Sequence, residues 1–317
     1  MRRSVLITGS ATGLGSAIAY RLAEQGHRII LNYRTSAEAC LQLQNKIQAT
    51  HTECHIVQAD VSYFEEAERL IRESIERFGT IDILIHCAGP FLYQRQRATD
   101  MDISDWKYMI DSNLSSAFYL SKLVIPYMRK QGFGRIITFG FDGAEQARGW
   151  RYRSAYAAAK VGLVSFTRTL ALEERHNGIT VNMVCPGDIR GKWKETFLDE
   201  YLQTHDRIGR ISMADDITRT VQFLIDEHAD YVTGNVIQLN GGIDTVILTD
   251  EITKNDVLDP VQFSPGEEVY VYPWNSRGLV EQVSRQKNDL TLYTVRTLDR
   301  NKTGRFTYFH LEKVNPK

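Results

Sequence analysis

The stretch Ser154-Ala155-Tyr156-Ala157-Ala158-Ala159-Lys160 carries the residue pair best suited to chemistry. Consecutive alanines favour a helix, and Val161, Leu163, Val164, Phe166 and Leu170 continue it in a mostly apolar pattern. On a helix, positions four apart lie one above the other, so Tyr156 and Lys160 share a face. A phenol titrates near ~10, too high to exchange protons at neutral pH. An ammonium held beside it favours the phenolate. A tyrosine tuned in this way can protonate a carbonyl oxygen or take a proton from an alcohol. The small alanines leave room for a flat cofactor. The same spacing is common on ordinary helices, so the surrounding elements must decide whether the pair is a site.

Those elements read as strand and helix in alternation. Ser4 to Thr8 is an apolar strand that runs into Thr8-Gly9-Ser10-Ala11-Thr12-Gly13-Leu14-Gly15 and then a helix from about Ser16 to Gln25. Strand, glycine turn and helix form a phosphate cradle, with backbone N–H groups at the positive end of a helix. A second strand, Arg28 to Tyr33, ends in Arg34-Thr35-Ser36. An NAD site usually places an acid here for the ribose 2′-hydroxyl. Arg34, Thr35 and Ser36 suit a 2′-phosphate instead, which predicts NADP(H). Further strands are expected at Cys54 to Ala59, Ile81 to Ile85, Arg135 to Phe139, Thr180 to Val184 and Asn235 to Leu239. Helices are expected at about Ala37 to Ala49, Glu65 to Phe78, a long segment containing Asn113, the Tyr156 segment and Asp215 to Ile225. The alternation implies an α/β fold, a Rossmann-type doubly wound parallel sheet, with ligands at the carboxyl ends of its strands.

Composition sets the outer limits. Of 317 residues, 43% are hydrophobic and 24% charged, and the formal net charge is −1. That balance argues against a dedicated nucleic-acid or membrane-surface protein. The four cysteines show no paired or ligand-like spacing, so no metal site is expected and a reducing compartment is. The apolar run after Met1-Arg2-Arg3 is too short for a signal peptide, and no stretch approaches the ~20 apolar residues of a membrane span. A cytoplasmic location is therefore expected.

Over residues 4 to 243 the sequence resembles the classical short-chain dehydrogenase/reductase family. The resemblance rests on Thr8-Gly9-xxx-Gly13-x-Gly15, Asp60, Ala88-Gly89, Asn113, Tyr156-xxx-Lys160, Asn182, Pro186-Gly187 and Tyr231-Val232-Thr233-Gly234 in family order. In Gly134-Arg135-Ile136-Ile137-Thr138 and Gly178-Ile179-Thr180-Val181-Asn182 it is most similar to 3-oxoacyl-acyl-carrier-protein reductases. The resemblance implies that Gly9, Ser10, Thr12, Gly13, Leu14 and Gly15 shape the pyrophosphate turn. Asp60 and Val61 would meet the adenine. Ala88 and Gly89 would line the cofactor, and Pro186, Gly187 and Ile189 would lie by the nicotinamide. Asn113 would hold a water linking Lys160 to solvent. Lys160 would bind the nicotinamide ribose and tune Tyr156, the general acid. It further implies a small-molecule carbonyl substrate and a homodimer or homotetramer.

Three departures stand out. The family's catalytic serine is replaced by Phe141, 15 residues before Tyr156, two more than the family interval. His86-Cys87 stands where the family has two asparagines, and Asp188-Ile189-Arg190-Gly191 replaces the stretch with the family's threonine. Losing one donor to the reacting oxygen can cost ~10²–10³ in rate. Asp142, beside the missing serine, is a substitute of the kind pterin reductases of this family use, and Tyr33-Arg34-Thr35 also resembles theirs. Reduction of a pterin-like C=N bond with Asp142 assisting is therefore an alternative. A non-catalytic cofactor-binding scaffold is another. Some enoyl reductases place an aromatic at the serine position, though with a longer Tyr-to-Lys spacing. The loop from Asp188 to Arg207, with Lys192, Trp193, Lys194, Phe197 and Tyr201, is expected over the substrate.

The chain is organised as residues 1–246, a linker at 247–263, and a tail at 264–317. In the tail, alternating Val269-Tyr270-Val271-Tyr272, Gly278 to Val283, Leu290 to Thr297 and Arg305 to Val314 read as short strands around turn signals. The pattern resembles a small SH3-like barrel. From Tyr270 onward nine Lys/Arg face four Asp/Glu. That excess admits RNA or a protein partner, with packing on the rest of the chain the better-supported alternative.

Overall fold

The computed structural model describes residues 2–91, 96–189, 191–203, 212–242, 263–271, 276–285, 291–299, 303–306 and 311–313. The chain divides into two compact units. The first is Met1–Ile189 with Lys194–Val246; the second is Arg190–Trp193 with Ile247–Lys317. Most of the expected linker lies outside the described residues.

In the first unit β1 (Ser4–Thr8), β2 (Arg28–Tyr33), β3 (Cys54–Gln58), β4 (Ile83–His86), β5 (Gly134–Phe139), β6 (Ile179–Pro186) and β7 (Val236–Leu239) form one sheet in the order β3-β2-β1-β4-β5-β6-β7. Every pairing is parallel. Strands covered on both faces are mostly apolar along their length. All five residues of β1 and all six of β5 are buried. The helices are α1 (Gly13–Glu24), α2 (Ala37–Gln48), α3 (Phe64–Phe78), α4 (Ile103–Ile110), α5 (Ser116–Gln131), α6 (Ser154–Glu174), α7 (Leu198–Tyr201) and α8 (Ala214–Ile225). The strand order reverses direction between β1 and β4, and this is where an open α/β sheet leaves a crevice.

Two local features differ from the sequence reading. Helix α1 begins at Gly13, three residues earlier than expected, because the glycine turn closes directly into the helix. The long helix through Asn113 is interrupted by a π-turn at Asp111–Ser115 that joins α4 to α5. No helix among the described residues is long and apolar enough to cross a membrane.

The second unit holds five strands, β8 (Glu268–Val271), β9 (Ser276–Arg285), β10 (Thr291–Thr297), β11 (Thr303–Phe306) and β12 (Leu311–Lys313), in the order β11-β10-β9-β8-β12. Neighbours are antiparallel. Alternate residues Val269 and Val271, and Tyr293 and Val295, turn inward with Phe263, Val280 and Leu311 to make a separate core. The Phe263 and Tyr293 rings meet edge to face at 5.2 Å.

Candidate active site

The crevice beside the β1–β4 reversal is a cleft of about 340 Å³. It gathers Gly9 and Thr12 from the glycine turn, Arg34, Thr35 and Ser36 after β2, Asp60 and Val61 after β3, and Ala88 and Gly89 after β4. Chain reversal at Gly9 is possible because its φ is +61° and its Cα packs against another strand's loop. A Cβ there would lie 2.9 Å from the backbone of Ala88. Gly13, Leu14 and Gly15 make the first turn of α1. Ser10 is fully buried; its hydroxyl donates to the Asn32 carbonyl at 3.2 Å and accepts the Asn32 N–H at 3.0 Å. Its side chain thus clips the turn to β2 and does not face the cleft.

At the adenosine end, Arg34 is half exposed. Its guanidinium donates to the Tyr108 hydroxyl and lies 3.6 Å from the Asp60 carboxylate. Asp60 also accepts the Ser62 N–H and hydroxyl at 3.1 and 2.7 Å. Tyr108 comes from α4, 74 residues along the chain, and carries no local sequence signal.

Tyr156 and Lys160 stand in the first two turns of α6. The Lys160 ammonium lies 5.7 Å from the centre of the Tyr156 ring. Lys160 is only 4% exposed, and burial pulls its pKa down to about 8, opposed by the neighbouring Cys185 and Cys87 sulfurs. Asn113 is fully buried in the π-turn. Its amide donates to the carbonyls of Met109 and Pro90, both at 3.1 Å, while its Oδ1 has no protein partner. Gly89 lets these groups converge: a Cβ there would meet Asn113 Oδ1 at 2.5 Å and Lys160 Nζ at 3.2 Å. A glycine cradle, with an unpaired buried acceptor and a buried ammonium packed against Gly89 of the cleft wall, fits a dinucleotide with a hydroxyl-bearing ribose.

Tyr156 is boxed by aromatic rings. Phe91 meets it edge to face at 4.9 Å, Trp150 at 6.0 Å, and Phe141 lies tilted at 6.1 Å. Phe141 is 5% exposed and also packs on Trp150 at 5.0 Å. The loop carrying Phe141 and Trp150 holds two non-glycine residues at positive φ, Ala147 at 52° and Tyr152 at 63°. Such conformations are costly and persist only where neighbours enforce them. Asp142 is buried, and its Oδ1 accepts the Asn240 amide at 2.8 Å from the turn after β7. Pro186 pairs with Leu239 at the end of β6, and Gly187 packs so closely that a Cβ would lie 2.8 Å from the Asn240 backbone. Ile189 follows, with its N–H donating to the Gly187 carbonyl at 3.0 Å.

His86 is explained by its partners. Its Nδ1 lies 2.9 Å from the Thr8 hydroxyl and its Nε2 lies 3.0 Å from the Ser116 hydroxyl. Ser116 donates to the Ser112 carbonyl at 2.8 Å, so it must accept from His86. Nε2 therefore carries the proton, and Nδ1 accepts from Thr8, whose oxygen accepts the Ala88 N–H at 3.2 Å. The chain runs Ala88 to Thr8 to His86 to Ser116 to Ser112 with each donor used once. Burial, reinforced by the Lys160 charge, pushes the His86 pKa down to about 3, which keeps the ring neutral. Sequence reading marked His86 as a departure but not its partners, which lie 78 and 30 residues away. No group of metal-ligating side chains occurs among the described residues.

Comparison with known proteins covers the same region. The family model described as Enoyl-(Acyl carrier protein) reductase matches residues 9–244. A Bacillus subtilis (strain 168) protein named as an oxidoreductase, YtkK, is 43% identical over 248 residues, which make up 77% of this chain and 97% of that protein. The 3-oxoacyl-[acyl-carrier-protein] reductase FabG of Staphylococcus aureus (strain Mu50) is 32% identical over 246 residues, 77% of this chain and 98% of that one. A solved structure from Bacillus thuringiensis, named as a 3-oxoacyl-reductase, aligns with a TM-score of 0.73 at 42% identity. It covers 78% of this chain and 100% of its own. These relatives are matched almost in full, and the family match ends before the five antiparallel strands begin.

Proposed function

The chain belongs to the short-chain dehydrogenase/reductase family, close to the 3-oxoacyl-[acyl-carrier-protein] reductases, and from that membership we propose that it is an NADPH-dependent reductase of a carbonyl substrate, a 3-oxoacyl thioester or similar ketone. The observation that carries the proposal is the convergence of Tyr156, buried Lys160 and the unpaired Oδ1 of Asn113 beside the glycine cradle. Gly9, Gly13 and Gly15 would hold the pyrophosphate at the start of α1. Arg34, Thr35 and Ser36 would hold the 2′-phosphate. Asp60 and Val61 would flank the adenine, with Ala88 and Gly89 against the ribose and Pro186, Gly187 and Ile189 at the nicotinamide end. When bound, NADPH supplies a hydride to the carbonyl carbon. Tyr156 gives its hydroxyl proton to the carbonyl oxygen, so that an alcohol leaves. Lys160 stabilises the ionised tyrosine, and Asn113 Oδ1 accepts from a water that returns the proton.

With Phe141 in place of a hydroxyl, Tyr156 is the group left to orient the reacting oxygen, and Phe91, Phe141 and Trp150 offer apolar faces to the rest of the substrate. That supports a substrate that is apolar beside its carbonyl. Asp142, tied to Asn240, supports anchoring of this loop more than proton delivery. The test is NADPH oxidation with ketones, 3-oxoacyl thioesters, 2-enoyl thioesters and dihydropterins. Turnover of the 3-oxoacyl thioesters or ketones is expected. Oxidation with none of the panel would overturn the assignment in favour of a binding scaffold. A homodimer or homotetramer, a cytoplasmic location and an SH3-like barrel at residues 264–317 belong to the same reading.

Two consequences are measurable in binding alone. Arg34→Ala is expected to weaken NADPH about 10- to 100-fold by removing a charge-assisted contact to phosphate, while leaving NADH nearly unchanged. Equal losses for both cofactors would count against a 2′-phosphate seat at Arg34. The Lys160 charge is lost as pH rises through about 8. NADPH affinity should therefore fall above that pH, and Lys160→Met should remove the dependence. A flat profile for the parent protein between pH 7 and pH 9 would exclude the ammonium as a cofactor contact.

A further inference from the structure

Between β6 and α7 the chain returns to the start of α1 and sets an acidic side chain where an anion belongs. Glu195 Oε1 accepts the Gly13 N–H at 2.6 Å. Gly13 opens α1, whose first N–H groups form the positive end of the helix. The helix has no acidic residue in its own first turn, and Thr12 makes no side-chain cap. Glu195 supplies the missing negative charge from 182 residues away.

The carboxylate is not a lone side chain at full stretch. Its segment is fastened along the same helix. The Phe197 ring packs against Tyr20 with centroids 6.1 Å apart and lies under the Arg21 guanidinium at 3.9 Å. Arg21 Nη2 is 3.8 Å from the Asp199 carboxylate. Leu198 is buried, and its N–H donates to Asp215 Oδ2 at 3.4 Å.

We infer that Glu195 is an internal stand-in for the cofactor's pyrophosphate, so that its carboxylate and the dinucleotide compete for Gly13 and the start of α1. The inference rests on the reading that NADP(H) binds at this cradle. A carboxylate oxygen and a phosphate oxygen cannot both take the same N–H, and like charges at that separation repel. Cofactor entry therefore expels Glu195 and loosens the segment it leads. The observed affinity is the intrinsic one scaled down by the fraction of molecules in which the seat is open. Loading of the cofactor and release of the segment over it become one linked event, with the same coupling in both directions.

Glu195 can be tested without turnover. NADP⁺ dissociation constants would be measured by calorimetry for the parent protein, E195Q and E195A, with melting temperatures checking that each is folded. E195A is expected to bind about 3- to 10-fold more tightly, the range a helix-terminal charge supports. E195Q should fall between, since its amide oxygen still accepts from Gly13 but carries no charge. In the parent protein, NADP⁺ should speed hydrogen exchange in residues 194–202. Equal or weaker binding by both variants, with exchange there unchanged by NADP⁺, overturns the competition while leaving the cofactor site standing. Failure of all three proteins to bind NADP⁺ or NADPH overturns the site and the competition together.

Discussion

Replacing Tyr156 by phenylalanine is expected to lower kcat for carbonyl reduction by about 10²- to 10⁴-fold, the usual worth of a positioned general acid. The expectation follows from the surroundings of the ring. The three rings packed on it, Phe91, Phe141 and Trp150, carry no hydroxyl that could replace the phenol. The aromatic packing itself survives the change, because phenylalanine keeps the ring. NADPH affinity should shift little, which separates a chemical role from a structural one. Rate and affinity are to be measured together on the best substrate of the panel. A variant that keeps more than about a tenth of the parent rate would remove Tyr156 as the acid, given the same magnitude.

The second large effect is acid sensitivity through His86. The ring is neutral in the folded protein, with a pKa of about 3, whereas an unfolded histidine titrates near ~6.5. Below the unfolded value the unfolded chain binds a proton that the folded chain does not. His86 therefore contributes its full stability above about pH 6.5, and that contribution is lost as pH falls toward 3, at about 1.4 kcal/mol per pH unit. Between pH 6.5 and pH 5 the loss from this one residue is about 2 kcal/mol. In the chain Ala88–Thr8–His86–Ser116–Ser112 the Nδ1 lone pair already accepts the Thr8 hydroxyl, so a second ring proton would displace that donor as well as put a charge in a buried site beside Lys160. Denaturant unfolding at several pH values, parent against His86→Asn, isolates the effect. Asparagine can bond but does not titrate, so its curve should be shallower by about one proton over this interval. Parallel curves would mean that the folded protein accommodates the imidazolium.

Much of the architecture is legible because parallel strands, covered on both faces, are mostly apolar and alternate with amphipathic helices. Strand β2 is legible to its ends, Arg28 and Tyr33, since its apolar run is bounded by Gly26-His27 before it and Arg34-Thr35-Ser36 after it. The start of α1, at Gly13, is hidden in the sequence because Gly13 and Gly15 look like loop residues. Gly15 is inside the helix for a reason of distance, as a Cβ would lie 2.5 Å from the Gly9 carbonyl oxygen. Motif spacing brought out Tyr156, Lys160, Asn113, Arg34 and Asp60, whose types are chemically distinctive. It did not bring out Tyr108, Ser116, Trp150 or Glu195. Each of these owes its place to contacts across many residues, and nothing nearby in the chain distinguishes it from an ordinary helix or loop residue. Asp142 shows the opposite case. Its type and position stand out in the sequence, but its hydrogen bond to Asn240, 98 residues away, does not.

The π-turn at Asp111–Ser115 has a consequence for how this protein tolerates insertions and deletions. A single residue is in excess of regular helical count there, and removing Asp111 or Ser112 would let α4 and α5 fuse into a straight helix. That helix would be better by local criteria. It would also rotate everything on one side by about 100° relative to the other, since a residue in an α-helix turns that far. Asn113 would lose the Met109 and Pro90 carbonyls and swing away from Gly89 and Lys160, and Ser116 would leave His86. A stabilising deletion at this place would thus yield a folded protein with both the Asn113–Gly89–Lys160 cluster and the histidine chain dismantled. The extra residue behaves as a phase marker: helix design that smooths it away trades function for regularity.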